Sequence, residues 1–371
     1  MSNRTKRFIE QQLARADVII NGSRPWDPQV HDERLYGRLI SQGTLGLGES
    51  YMDGWWDAEA LDELIYRLSV ASIQDDFPRD IAVIWSAVRG RLFNMQRLKV
   101  KEVGEKHYDI GNDLYEAMLD KRMIYSCGYW KDAATLDEAQ EAKLDLICRK
   151  MGLEKGMRVL DIGSGWGGFL KFAAERYGIT GLGVTISREQ AALANERTKG
   201  LPVETKLIDY QALEGEFDRV ISIGMFEHVG YKNYRAYFEK ARALLAGDGM
   251  MMLHTIGGNH SVTHGDPWSE KYIFPNGMLP SIAQIGRATE ALFVMEDWHN
   301  FGADYDKTLM AWWTNFNAAW SQLEARYGPR FYRMWKYYLH IFAALFRARN
   351  VNLWQIVLSP RGVPGGYASV R

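Results

Sequence analysis

The sequence predicts an α/β protein with a largely parallel sheet, preceded by a smaller helical domain. Strand and helix patterns alternate with short loops from Arg158 onward, which is typical of a parallel sheet covered by helices. A strand, a glycine-rich turn and a helix N-terminus follow one another over residues 159–177. The first 95 residues contain short helical patterns and turns instead. Together these observations predict a Rossmann-like domain with an N-terminal helical domain.

Length and composition limit the possible organisation and partners. The chain has 371 residues, enough for two domains, and we expect them at 1–98 and 107–371, joined by a linker at 99–106. The formal net charge of −1 gives no global basic field, so we expect no nucleic-acid partner. Two cysteines cannot form a disulfide framework, which favours a reducing compartment such as the cytoplasm. The polar N-terminus does not resemble a signal peptide, and no apolar run approaches the ~20 residues of a membrane span.

The N-terminal region is predicted to hold helices at Arg4–Ala16 and Ala58–Ser69. Between them we expect a loop at Gly43–Gly48 and an aromatic turn at Tyr51–Trp56. From Pro78, apolar residues at i, i+3, i+4 and i+7 predict another helix, whose other side and tail carry Arg79, Arg89, Arg91, Arg97, Lys99 and Lys101. Such a helix either packs on the core with a solvated basic face or lies on an anionic membrane surface, and the pattern leaves both open.

The larger domain is predicted to begin its regular structure with a helix that Thr135 caps and that ends near Met151. Further helices are expected at 169–177, 188–198, 231–246, 308–327 and 331–349. The predicted strands are 158–162, 180–184, 203–208, 217–223, 250–254, 293–298 and 353–359.

The glycine-rich turn after Ile162 indicates a ligand site. Glycines let the backbone approach a ligand closely, and the free N–H groups of the following helix favour an anion. Asp161 precedes the first glycine by two residues, in the Asp-x-Gly-x-Gly-x-Gly order typical of S-adenosylmethionine (SAM) methyltransferases. A dinucleotide site would need an acidic residue about 20 positions on, and residues 181–187 contain none. SAM is therefore favoured, with a nicotinamide cofactor and a turn without a ligand as alternatives.

Ligands of open parallel sheets bind beyond the carboxyl ends of the strands. The predicted strand 217–223 leads to Glu227 and His228, and strand 250–254 ends at His254. Glu227 and His254 could form an acid–base pair, although a structural ion pair is the alternative for Glu227. For His228 we favour a structural role.

A metal site is not predicted. His260 and His264 would need a helix to converge with Asp266, and the neighbouring Gly257, Gly258 and Pro267 argue against one.

From about Val103 the chain resembles the bacterial cyclopropane-fatty-acyl-phospholipid synthases, which are related to the mycolic acid cyclopropane synthases. Ser164 is a departure, because the bacterial enzymes often carry Cys at this position. The matching segments occur in the family's order and are EKHYDIGNDLY, YSCGYW, VLDIGSGWGG, GVTIS-x-x-Q, FDRVISIGMFEHVG, LHTIG, KYIFPNGMLP, MEDWHNFGADYDKTLMAW and FRARNVNLWQ.

The resemblance implies specific site residues. Together with Asp161 of the turn, those implied to bind SAM are Tyr125, Ser126, Gly163, Gly165, Thr185, Gln190, Asp209 and Tyr210. The family also binds bicarbonate beside the reacting carbon, in a pocket that maps onto Cys127, Glu227, His254, Ile256 and Tyr305. In that pocket the backbone N–H groups of Cys127 and Ile256 are expected to donate to the anion.

The implied activity is formation of cyclopropane rings on phospholipid acyl chains. An alkene takes the SAM methyl group, and bicarbonate removes a proton from the resulting carbocation. We also expect the N-terminal domain at 1–98 to help dock the bilayer, with the protein acting as a homodimer on the inner face of the cytoplasmic membrane and unsaturated phospholipids as its partner. Two alternatives stay open: a SAM methyltransferase acting on another lipid or a small amine, and a lipid-binding protein that has lost catalysis.

Overall fold

The structure is a computed structural model that describes residues 3–72 and 111–371. The predicted basic helix from Pro78 and the predicted boundaries at 98–107 lie outside these residues. Within the described ranges, no helix has the length and apolar character that a membrane crossing requires.

From residue 136 onward the regular elements follow the predicted order, except that the helices at Pro267–Tyr272 and Ile282–Thr289 were not predicted. The helices are α1 Asn3–Arg15, α2 Arg34–Met52, α3 Leu61–Val70, α4 Asn112–Met118, α5 Leu136–Lys150, α6 Gly168–Tyr177, α7 Arg188–Arg197, α8 Tyr234–Ala243, α9 Pro267–Tyr272, α10 Ile282–Thr289 and α11 Asp304–Arg347. The strands are β1 Gln29–Val30, β2 Trp56–Asp57, β3 Arg158–Ile162, β4 Thr180–Thr185, β5 Val203–Leu207, β6 Phe217–Ile223, β7 Leu245–Gly258, β8 Val294–Asn300 and β9 Val351–Ser359. Helix α11 breaks at Gly328, which has φ 73° and precedes Pro329, so it contains the two helices that the sequence predicts.

The described residues form two compact units. One holds residues 3–72, 263–277 and 305–351, and the other holds 111–262, 278–304 and 352–371. This division differs from the continuous domain predicted over 107–371. An amphipathic pattern shows which face of a helix is apolar but not which distant segment covers that face. The sequence therefore did not reveal that residues 263–277 and 305–351 belong to the first unit.

The first unit joins three distant segments through partly buried polar contacts. Glu49 on α2 accepts hydrogen bonds from Lys271 and from the Tyr272 hydroxyl, the latter at 2.8 Å. Arg333 on α11 donates to the Trp56 carbonyl at 2.9 Å. The loop predicted at Gly43–Gly48 is wrong: α2 continues through it with a break only at Gly43 (φ 53°). The missing side chain of Gly48 lets the Trp268 ring pack against the helix, so tertiary packing overrides the low helix propensity of glycine.

The second unit is built on a seven-stranded sheet in the order β5-β4-β3-β6-β7-β9-β8. Strands β3 to β7 pair in parallel, and β8 runs antiparallel to β9. Successive residues of the central strands enter different core clusters, so that Leu160 and Val220 belong to one cluster and Val159 and Ile221 to the other. Both faces of the sheet are therefore covered, as expected for a parallel sheet.

The predicted start of α5 is confirmed in detail. The Thr135 hydroxyl accepts the Glu138 N–H, and the Glu138 carboxylate accepts the Thr135 N–H in return. This capping box satisfies two backbone donors that the first helical turn leaves open.

A substitution at Gly257 tests how tightly the sheet is covered. A Cβ on Gly257 overlaps the buried Trp354 ring, so we expect Gly257→Ala to destabilise the protein by about 1–3 kcal/mol. The measurement is the urea midpoint followed by circular dichroism. Gly286→Ala is the matched control, because nothing lies within 4 Å of its Cβ and alanine favours the helix there. Equal midpoints for the two variants would contradict the tight packing.

Candidate functional site

A cleft lies at the carboxyl ends of β3, β4 and β6 in the second unit. Its walls include the turn after β3, the loop before α7 and the segment around Tyr125. The structure places all nine predicted SAM-binding residues around this cleft: Tyr125, Ser126, Asp161, Gly163, Gly165, Thr185, Gln190, Asp209 and Tyr210. The geometry agrees with the rule for open parallel sheets.

The glycine-rich turn has a backbone that other residues rarely adopt. Gly163, Gly165 and Gly167 have φ values of 83°, 52° and 77°. A Cβ on Gly163 would lie 2.7 Å from Met225, whereas a Cβ on Gly165 meets no protein atom within 4 Å. Gly163 is therefore required by the fold, and Gly165 borders open space that a ligand can enter.

Two polar groups on the side of β4 are held by local hydrogen bonds. Ser187 caps α7 by accepting the Gln190 N–H, and the Thr185 hydroxyl donates to Gln190 Oε1 at 2.8 Å. This contact fixes the Gln190 amide and leaves its NH₂ group as the donor for a ligand. At the end of β5, Asp209 caps a short 3₁₀ helix by accepting the Gln211 N–H.

The cleft contains two buried charged groups that do not touch each other. Burial raises the pKa of Asp161 to about 7, and its Oδ1 atom has no hydrogen-bond partner among the described residues. Burial also lowers the pKa of Lys143 to about 8, and its Nζ atom donates to Ser126 Oγ at 2.8 Å.

Sequence reasoning missed Lys143, because a lysine in an amphipathic helix is usually solvated. The signal was its position: Lys143 follows Leu136 and Gln140 at helical spacing and precedes Ile147 on the buried side of α5.

Glu227 and His254 are brought together by neighbouring strands. His254 pairs with Ile223 in the parallel ladder of β6 and β7, and Glu227 lies in the 3₁₀ turn that follows β6. Glu227 Oε1 accepts the Ile256 N–H at 2.8 Å, and the Glu227 carbonyl accepts the Met278 N–H at 2.9 Å. Glu227 is therefore held by one contact to its carboxylate and one to its backbone carbonyl.

Each of these two side chains has a buried atom with an unused hydrogen-bonding capacity. Glu227 Oε2 and His254 Nε2 have no partner within the described ranges, while His254 Nδ1 lies 3.3 Å from Gln355 Nε2. Burial raises the pKa of Glu227 to about 7 and lowers that of His254 well below its usual value, so the imidazole is neutral. The two atoms thus offer one hydrogen-bond acceptor, when Glu227 is ionised, and one ring nitrogen without a partner among the described residues.

The other predicted bicarbonate residues are Ile256, Cys127 and Tyr305, and the first of them makes a different contact from the one expected. The Ile256 N–H donates to Glu227, so it holds the carboxylate rather than an anion. Cys127 is buried, and its thiol donates to the Gly128 carbonyl at 3.2 Å. Tyr305 belongs to the first compact unit, and its role stays a prediction.

Among the described residues, none of the five predicted bicarbonate residues lines the cleft, whereas His228 does. Burial lowers the pKa of His228 to about 4, so this histidine is neutral at pH 7. Asp266, considered above for a metal site, instead caps α9 by accepting the Ser269 N–H at 2.9 Å.

Comparison with known proteins gives consistent matches. The profile of the family described as mycolic acid cyclopropane synthetase matches residues 95–356. Cyclopropane-fatty-acyl-phospholipid synthase of Escherichia coli strain K12 is 50% identical over 366 residues, which cover 98% of this chain and 96% of that protein.

Two solved structures of cyclopropane synthases are similar as well, and the first of them is from Mycobacterium tuberculosis. The cyclopropane synthase MmaA2 aligns with a TM-score of 0.65 and 29% identity, over 70% of this chain and 98% of its own. Mycolic acid cyclopropane synthase CmaA1, solved with SAH and CTAB, aligns with a TM-score of 0.64 and 32% identity over the same shares.

Gly165→Ala tests whether the open space beside the turn receives the ligand. Alanine at this positive φ costs about 1–2 kcal/mol of folding free energy, and its Cβ would also occupy the ligand's space. We expect binding of S-adenosylhomocysteine, measured by calorimetry, to weaken at least about tenfold.

Gly156→Ala is the matched control for backbone strain. Gly156 has φ 88° and open space around its Cβ but does not line the cleft, so the same loss of stability should leave ligand affinity unchanged. Equal affinities for the two variants would exclude the turn as part of the binding site.

Proposed function

The chain belongs to the mycolic acid cyclopropane synthetase family, and we propose that it transfers a methylene unit from SAM to the cis double bond of unsaturated phospholipid acyl chains. It is a SAM-dependent enzyme of the methyltransferase class, and its second unit has the class I methyltransferase fold that the sequence predicts. The phospholipid substrate is the one named for the E. coli relative. The observation that carries the proposal is that nine residues predicted to bind SAM line one cleft.

The reaction forms two C–C bonds and releases one proton. The π electrons of the alkene form a bond to the SAM methyl carbon, and the electron pair of the breaking S–C bond goes to sulfur. This step leaves S-adenosylhomocysteine and a carbocation on the acyl chain. Loss of a proton from the new methyl group then lets its C–H electrons close the three-membered ring. Water would capture the carbocation, so the reacting carbon must be kept dry.

Glu227 and His254 are proposed to hold the base that takes this proton. Bound bicarbonate would supply that base. Glu227 Oε2 is suited to accept the anion's O–H group, because Oε1 is already used by the Ile256 N–H. In the structure the NH₂ group of Gln355 donates to His254 Nδ1. The hydrogen of the neutral imidazole is therefore on Nε2, and this N–H can donate to an oxygen of the anion.

Product analysis with a Glu227→Gln variant tests this function. With SAM and vesicles of cis-unsaturated phospholipid, mass spectrometry should show acyl chains that gain one CH₂ and resist hydrogenation. The variant should retain SAM binding, because Glu227 does not line the cleft, and lose about 100-fold or more in turnover. Glu290→Gln, an exposed glutamate of the same unit, is the control. Wild-type product without the added CH₂ would refute the function.

The pH profile separates the role of Glu227 from a general loss of structure. The carboxylate must be ionised to accept the O–H, so turnover at saturating SAM and constant bicarbonate should rise as the pH passes through about 7. Glu227→Gln should lack this rise. Turnover of the variant that equals that of the wild type at low bicarbonate would contradict the anion-holding role.

Access to acyl chains requires contact with the bilayer. We infer that the protein binds peripherally to the inner face of the cytoplasmic membrane and acts as a homodimer. The support for membrane binding is the basic composition of residues 79–101, where cations can face anionic headgroups. The dimer rests on the family resemblance, and light scattering in solution tests it.

Replacing Arg89, Arg91 and Arg97 together should weaken sedimentation with anionic vesicles, because each cation near such a surface contributes about 1 kcal/mol. The matched control replaces Lys155, Arg287 and Arg361, three exposed cations of the second unit, and removes the same charge. Equal sedimentation of both triple variants would show that the 79–101 segment does not bind the membrane.

A further inference from the structure

Lys143 is a fully buried lysine that the proposed reaction does not yet use. It lies on α5 and lines the cleft, and its side chain has no solvent exposure. Among the described residues, its Nζ atom has one hydrogen-bond partner, Ser126 Oγ at 2.8 Å. Burying an ammonium group is costly unless it interacts with a partner of opposite charge or with good acceptors, so a single neutral hydroxyl is an incomplete environment.

The contact determines how Ser126 can bind a ligand. An ammonium group can only donate, so Ser126 Oγ accepts from Lys143 and its own hydrogen is free to be donated elsewhere. The backbone of Ser126 is also fixed, because Gln140 Nε2 donates to the Ser126 carbonyl at 2.7 Å. The hydroxyl therefore presents a polarised O–H donor at the wall of the cleft, which suits an anionic group.

Asp161 provides the complementary charge on the same cleft. It is buried, and its Oδ1 atom has no hydrogen-bond partner in the described part of the chain. Lys143 and Asp161 influence each other electrostatically but form no ion pair. Two buried opposite charges that line one cleft without pairing match a zwitterion, whose ammonium and carboxylate are a few bonds apart.

We propose that Lys143, acting through Ser126, is the positioning residue that recognises the carboxylate of the amino-acid end of SAM, while Asp161 faces the ammonium group. This inference rests on the proposed function, because it assigns the zwitterionic end of the same ligand. The Lys143 ammonium carries the charge, and the Ser126 hydroxyl delivers the hydrogen bond.

A purely structural role for Lys143 is the competing explanation. In that case the lysine would only offset the negative charges of Asp120 and Asp161 in the interior. Both roles make Lys143→Met destabilising, so stability does not distinguish them. They differ in ligand discrimination, because only carboxylate recognition makes affinity depend on whether the ligand carries a carboxylate.

The test compares S-adenosylhomocysteine with 5′-deoxy-5′-(3-aminopropylthio)adenosine, which lacks only the carboxylate. Calorimetry gives the ratio of the two dissociation constants for each variant. The wild type should prefer the carboxylate ligand. Lys143→Met should reduce that preference by about tenfold or more, because the Ser126 hydrogen bond to the carboxylate loses the positive charge that supports it. A ratio that Lys143→Met leaves unchanged would overturn the proposal.

Lys150→Met is the matched control for loss of a buried lysine from the same helix. Lys150 is as buried as Lys143, but it contacts His299 and Asp297 and does not line the cleft. It should therefore leave the ratio of dissociation constants unchanged.

Ser126→Ala decides the matter if Lys143→Met does not fold. It should reduce the preference by a similar factor, because it removes the hydroxyl that delivers the hydrogen bond to the carboxylate. A Ser126→Ala variant with the wild-type ratio would refute the relay. Failure of the wild type to bind S-adenosylhomocysteine at all would instead refute the proposed function.

Discussion

The parallel pairing of β3, β6 and β7 is the constraint on which the site depends. Register places Ile223 opposite His254, and the Gly224 N–H donates to the His254 carbonyl at 2.9 Å where β6 ends. Because side chains alternate between the faces of a strand, a slip of one residue would turn the His254 side chain to the other face of the sheet. The two core clusters prevent such a slip, since Leu160 and Val159 would exchange their apolar environments.

The same sheet keeps several ionisable groups away from water, and each one is expensive to bury. Glu227 is compensated by the Ile256 N–H, and neutral His254 contacts Gln355. Asp161 and the ammonium of Lys143 are less completely satisfied by the protein. Incomplete satisfaction of buried groups is usually avoided, so its occurrence at two residues of one cleft is a physical reason to look for a ligand there. A ligand that completes these interactions would be bound tightly and oriented by the groups it satisfies.

The fold of the second unit could be predicted from short-range patterns. Strands β3 and β6 begin and end at the predicted residues, and Thr135 caps α5 as its side-chain chemistry implies. Among the cleft-lining residues, Asp209 could be predicted because it follows a strand, and Gly163 and Gly165 because they belong to the glycine-rich turn, whereas Tyr125 and Ser126 were implied only by the family resemblance. Other features depend on distant partners. Gly43–Gly48 resembles a loop until the Trp268 ring is known to pack on Gly48, and Lys143 resembles a surface lysine until its helix is covered. The Ile256 N–H could not be assigned to Glu227 from sequence, because that contact depends on the turn after β6.

The three-segment construction of the first unit has a consequence for biosynthesis. Tyr51 and Trp56 pack against Tyr337, which lies on α11 in the last of those segments. A ribosome reaches residue 351 roughly 280 residues after residue 72, which takes about 14–56 s at 5–20 residues per second. During that interval the early helices lack the partner that covers their aromatic side chains. Synthesis from the N-terminus therefore produces an intermediate with exposed apolar surface, to which chaperones would have to bind. Fragments that stop before α11 should aggregate for the same reason.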